Sequence, residues 1–155
     1  MQCKLDLEIT HSSFGLRSVP AGEDEVVWGE GNRAQGVLLL PGLVLLDPLS
    51  DEEFGADVVV RTAEKFLPSK SAQRTVQMPF EIIDPAELTL FSPAEEYSVS
   101  LDVEAGDYTL IYEACLGKEV YYVLTLLTGK VEQATALKSA GWGLQKGLPL
   151  TAGVF

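Results

Sequence analysis

The chain opens on an alternation. In "CKLDLEIT", residues 3–10, Cys3, Leu5, Leu7 and Ile9 fall on one face and Lys4, Asp6 and Glu8 on the other. A period of two predicts a half-buried strand. "GVLLLPGLVLLDP" predicts two short strands, 37–40 and 43–46, meeting at a Pro41-Gly42 turn. "ADVVVRTAE", "QRTVQMPFEII" and "LTLF" predict three more strands. "EVYYVLTLL" predicts a long late strand, because its β-branched and aromatic content outweighs its fit to a helix. "EYSVSLDV" and "DYTLIYEACL" predict a hairpin joined at Ala105-Gly106. Local helical character is confined to "DPLSDEEFGA", where Ser50 can cap a turn with Glu53 as its capping-box partner, and to "VEQATALKSAG". "VPAGEDEVVWGEGNR" and "FLPSKSAQR" read as loops.

Turn signals recur about every 8–12 residues, the spacing of an all-β sandwich or barrel. The pattern therefore predicts an all-β fold, a two-sheet antiparallel β-sandwich with at most one or two short helices. Leu5, Leu7, Leu38, Val44, Val59, Phe80, Val99, Leu101, Leu110 and Val123 are expected among its inner residues. No repeat or linker divides the chain, so residues 1–155 are expected to form one domain, with 128–155 as a C-terminal extension.

Charge narrows the function. The chain holds 23 Asp and Glu against 11 Lys and Arg, a formal net charge of −12. All of the carboxylates except Glu119 and Glu132 precede residue 114. Such a surface repels nucleic acid and anionic membranes and steers towards cationic partners, though it also simply keeps a protein soluble. The longest apolar run is short and broken by Pro41 and Gly42, and Lys4, Asp6 and Glu8 interrupt any signal-like start. Cys3 and Cys115 lie in strand-like alternation outside any Cys-x-x-Cys motif. The expectation is a cytoplasmic protein with both thiols free.

Candidate chemistry is thin. His11 is the only histidine, which leaves too few ligands for a conventional zinc site and a single base for any triad; no Gly-x-Ser-x-Gly elbow is present. "GEGNRA", Gly29 to Ala34, matches a dinucleotide fingerprint, but the motif works only where a strand hands over to a helix, and strand-like "QGVLLLPG" follows it. Asp47, Asp51, Glu52, Glu53 and Asp57 crowd one stretch without the EF-hand spacing. Paired carboxylates can run a glycosidase, yet nothing in the sequence selects a pair. No metal or organic cofactor is expected.

Several short matches in order carry a resemblance. "ITHSSF" (9–14) follows the first strand, Trp28 sits in an acidic loop, and "QGVLLLPGLVLLD" (35–47), "VQMPFEI" (76–82) and "YSVSLDVEAGDYTLIYEA" (97–114) follow. This arrangement, over about residues 5 to 127, resembles the competence protein J family of small bacterial inhibitors of a DNA-entry nuclease, and their immunity-protein-like relatives. The resemblance implies a sandwich pairing Met78-Pro79-Phe80 with a later Gly106-Asp107-Tyr108 hairpin. It also implies a non-enzymatic inhibitor or immunity protein that binds and blocks a nuclease. Its acidity fits that role, since carboxylates can meet the Lys and Arg of a cationic groove where phosphates would lie.

Two alternatives stand beside this one: a non-catalytic binding or structural module that self-assembles through its apolar C-terminal tail, possible as a homo-oligomer, and a hydrolase using paired carboxylates. For the inhibitor, the expected partner-binding residues are Glu23, Asp24, Glu25, Trp28 and Glu30 in "EDEVVWGE", with Asp102, Glu104 and Asp107 as a second surface. Trp28 is expected to be either an exposed anchor or a plug that folds its loop over the core.

Overall fold

The computed structural model describes residues 1–9, 13–22, 26–49, 55–139, 146–147 and 149–155. Within them run strands β1 (Gln2–Glu8), β2 (Phe14–Arg17), β3 (Val37–Leu40), β4 (Leu43–Leu46), β5 (Gly55–Ala63) and β6 (Ala72–Ile82). β7 (Thr89–Phe91), β8 (Glu96–Ser98), β9 (Gly106–Leu116), β10 (Val120–Thr128) and β11 (Thr135–Ser139) follow. One helix, α1 (Glu30–Gln35), and a 3-10 turn at Pro85–Glu87 complete them. The strands form two sheets, in the orders β1-β5-β10-β9-β6-β11 and β3-β4-β2-β7-β8. The sandwich read from the pattern is the fold. Its pairings are antiparallel except one: β10 lies parallel to β5.

The inner faces meet in a continuous apolar core. Leu7, Val58, Val60, Met78, Leu110, Tyr112, Tyr122 and Leu124 of the larger sheet pack with Phe14, Leu16, Val37, Leu39, Val44, Leu46 and Leu90 of the smaller. Phe14 stands edge-on to Tyr112 with centroids 5.9 Å apart and lies 4.8 Å from Tyr122. Both phenols reach the chain leaving β4: Tyr112 Oη donates to the Asp47 carbonyl at 2.8 Å, and the Leu49 N–H donates to Tyr122 Oη at 3.0 Å. A buried hydroxyl needs such a partner, and here the need fixes where the chain leaves the sheet.

Several expectations need correction. Residues 97–114 do not form a hairpin. β8 pairs with β7 in the smaller sheet, residues 99–105 cross without strand structure, and β9 joins β6 and β10 in the larger sheet. Alternation alone does not distinguish two strands of one hairpin from two strands in different sheets. In β5 the inward residues are Val58 and Val60, and Val59 faces out; three consecutive valines leave the register open. Leu38 and Val123 are buried, but outside the central core; Val123 packs with Ala72 and Cys115 on the opposite face of the larger sheet. Leu5 and Leu101 are partly buried against the core. Residues 135–139 of "VEQATALKSAG" form β11 rather than a helix, because pairing with β6 overrides local preference. The turn read at Ser50 and Glu53 lies outside the described residues.

β3 follows "GEGNRA" as read, but the end of "VPAGEDEVVWGEGNR", read as loop, enters α1. Gly36 ends it at φ 79°, with its N–H on the Asn32 carbonyl at 2.8 Å. Six residues are too few to hold a helix unaided. The side chain of Asn32, fully buried, accepts from Gly29 N–H and from Phe155 N–H and donates to the Gly153 carbonyl.

Both open sides of the sandwich are closed by side chains and loops. On one side β1 meets the β7–β8 turn: Ser92 Oγ donates to the Glu8 carbonyl at 2.6 Å, and the Glu8 N–H donates to Glu95 Oε2 at 3.0 Å. On the other, residues 149–155 run from β11 to β3. Leu150 N–H donates to the Ala134 carbonyl and Gly153 N–H to the Leu39 carbonyl, each at 2.8 Å. Edge strands left bare invite pairing with other chains, and both devices blunt that.

Candidate functional site

Carboxylates on this fold serve two different purposes. Glu113 on β9 has no exposed surface and accepts from the Ser69 N–H at 2.8 Å and Ser69 Oγ at 3.0 Å, with Arg61 at 4.0 Å. That carboxylate pins the loop between β5 and β6 and is structural. Asp6, Glu8, Asp102, Glu104 and Asp107 are exposed and remain available to a partner.

Asp102 and Glu104 lie in the 99–105 crossing, and Asp107 opens β9. The Tyr108 hydroxyl donates to the Glu104 carbonyl at 2.8 Å and holds this bend, so the three carboxylates share one rigid turn. Asp107 meets Lys130 at 3.8 Å, a half-exposed pair that contributes little stability. The same residues line a hollow with Leu40, Pro41, Phe80 and Glu81 at the turn end of β3. α1 leads into the other end of that strand. There Glu30 is exposed and Trp28 half-buried beside Val27, which is 65% exposed. Trp28 is therefore neither a full core plug nor a free ring. Glu23, Asp24 and Glu25 lie outside the described residues, as does His11.

A third acidic surface was not read from the sequence. Asp6 and Glu8 of β1 and Glu95 of the β7–β8 turn line an open cleft around Tyr97. Loss of solvent, a hydrogen bond to Glu95 and the charges of Glu95, Asp6 and Glu8 together push the Tyr97 hydroxyl above its ordinary pKa. Alternation places Asp6 and Glu8 on one outward face, but no local signal ties them to a residue 87 positions away. Among the described residues, no three His, Cys, Asp or Glu side chains converge as metal ligands do. Cys115 is buried and Cys3 partly so, and both are free; burial foremost pushes the Cys115 thiol up.

The sequence profile of Competence protein J (ComJ) matches residues 6–127. The chain belongs to the competence protein J family. A solved structure, described as ComJ, inhibitor of the DNA degrading activity of NucA, from Bacillus subtilis, shares the fold with a TM-score of 0.67 at 16% identity. The likeness covers 83% of this chain and 96% of ComJ. No curated protein matches the sequence. The strand pairing that the family resemblance implied is present: Phe80 lies opposite Tyr108 and Glu81 opposite Asp107 in the β6–β9 ladder. Pro79 is tolerated in β6 because the β11 ladder ends at Gln77, leaving no partner that needs its missing N–H. No helix among the described residues is long and apolar enough to cross a membrane.

Proposed function

We propose that this protein is a cytoplasmic, non-enzymatic inhibitor that binds a nuclease and blocks its cationic DNA-binding groove. Membership of the competence protein J family is the observation that carries the reading. The net charge of −12, the exposed carboxylates Asp102, Glu104 and Asp107, and the cleft of Asp6, Glu8 and Glu95 support the manner of binding. A nuclease groove displays Lys and Arg to phosphates, and carboxylates fixed on a rigid sandwich offer the same charge without a conformational cost. Long-range attraction speeds encounter, and apolar anchors slow dissociation. The bend at Asp102, Glu104 and Asp107 and the surface at Trp28 and Glu30 are the proposed contacts, with the Asp6–Glu8–Glu95 cleft widening the field. The whole chain, residues 1–155, acts as one unit in this reading.

The test is a purified NucA-like nuclease from the chain's own organism, assayed on plasmid DNA with increasing amounts of the protein. Stoichiometric loss of cleavage supports the proposal. Unchanged cleavage at a tenfold molar excess, by protein shown to be folded, refutes it. Lost cleavage that excess DNA restores is the mark of groove occupancy; inhibition indifferent to DNA concentration would place the contact elsewhere on the nuclease.

A further inference from the structure

Residues 149–155 lie beyond the stretch that the family profile matches, yet they are bound into the helix that precedes β3. Asn32 accepts the Gly29 N–H at 2.9 Å and the Phe155 N–H at 3.1 Å, and donates to the Gly153 carbonyl at 2.8 Å. Gln35 exchanges two bonds with Thr151, donating to its carbonyl at 2.8 Å and accepting its N–H at 3.0 Å. The Gly31 N–H donates to the Phe155 carbonyl at 2.9 Å. A Cβ at Gly29 would overlap the Phe155 backbone, and one at Gly31 would overlap its ring. The fit thus needs bare backbone at Gly29 and Gly31.

Exposed apolar side chains gather at this junction. Val154 and Phe155 remain 55% and 48% exposed, and Val27 65%, next to half-buried Trp28 and exposed Glu30. Apolar groups left in water beside a carboxylate suit a protein surface that offers an apolar spot within a positive field.

We infer that α1 and residues 151–155 form one composite element that orders as a unit and presents Trp28, Val154 and Phe155 as the apolar anchor for the nuclease. The use of the anchor rests on the inhibitor reading; the coupling of the two segments does not. Six helical residues cannot stay ordered without the segment, and the segment's hydrogen bonds run mostly to α1. Asn32 is a positioning residue here, and Phe155 a contact.

Two variants of the full chain test the inference. Asn32→Ala should raise amide exchange in residues 29–36 and 150–155 together, by about tenfold or more, while β9 and β10 stay protected. Asn32→Asp, which keeps the acceptor for Gly29 and Phe155 but turns an oxygen toward the Gly153 carbonyl, should not restore that protection. Phe155→Ala should leave cooperative unfolding intact and speed dissociation from a NucA-like nuclease about tenfold or more. If exchange in Asn32→Ala rises in only one of the two segments, or in neither, the composite element is refuted. If the parent binds the nuclease and Phe155→Ala dissociates at the parent rate, the anchor is refuted. If the parent itself does not bind, the inhibitor reading and the anchor fall together, and exchange still decides the coupling.

Discussion

Replacing Glu113 with alanine should destabilise the protein by about 2–4 kcal/mol, because the carboxylate is buried and holds a loop. The magnitude follows from its partners. Glu113 is fully buried and accepts two hydrogen bonds from Ser69, at 2.8 Å from the amide and 3.0 Å from the hydroxyl. Hydrogen bonds to a charged group contribute roughly 1.5–3 kcal/mol each, or about 3–6 for the pair. Relief from burying a carboxylate offsets part of this. Arg61 adds little at 4.0 Å, and its partial exposure lets water replace the lost partner. Ser69→Ala removes only the hydroxyl's bond and should cost about 1.5–3 kcal/mol. Urea denaturation of both variants and the double variant completes the cycle. The midpoint should fall with an unchanged slope, and the two losses should be non-additive by at least about 0.5 kcal/mol, because both remove the same contact. A parent-like midpoint for Glu113→Ala, or strictly additive losses, would refute the assignment of Glu113 as structural.

Three other outcomes follow from the same geometry. Tyr112→Phe and Tyr122→Phe should each cost about 1 kcal/mol, because the half-buried Asp47 carbonyl loses its donor and the half-buried Leu49 N–H its acceptor; thermal melts measure both. Reversing Asp6 and Glu8 to Lys should slow association with a NucA-like nuclease and flatten its salt dependence while the melting temperature holds, which stopped-flow binding at several ionic strengths reads. Stability should fall as pH rises above about 8.5. Burial lifts Tyr112 well above its ordinary pKa and also raises Cys115 and Tyr97. The folded chain therefore retains protons that the unfolded chain has lost, and the slope of stability against pH is negative in that window. Replacing Tyr112 with Phe should lessen that slope.

β1 was legible because period-two patterning reports directly on burial, and β3 and β4 because an unbroken apolar run is split by the Pro41-Gly42 turn; the latter two fall at the residues so marked. What the pattern could not carry was partnership. "YSVSLDV" and "DYTLIYEA" look like two arms of one hairpin, yet they serve opposite sheets, since alternation fixes a face but not a neighbour. α1 escaped because its stability is not local: Asn32 and Gln35 are satisfied by residues more than a hundred positions away. The acidic cleft escaped for the same reason, assembled from β1 and a distant turn. Glu113 shows what charge alone does not reveal, since this carboxylate is buried and holds a loop rather than facing solvent.

Competition measured by fluorescence anisotropy bears on the proposed groove occupancy: a labelled DNA duplex bound to a catalytically inactive NucA-like nuclease, titrated with the purified protein at physiological salt. Full displacement of the DNA with one-to-one stoichiometry, weakening as salt rises, is expected. A ternary complex in which the DNA stays bound while this protein binds beside it would contradict that proposal.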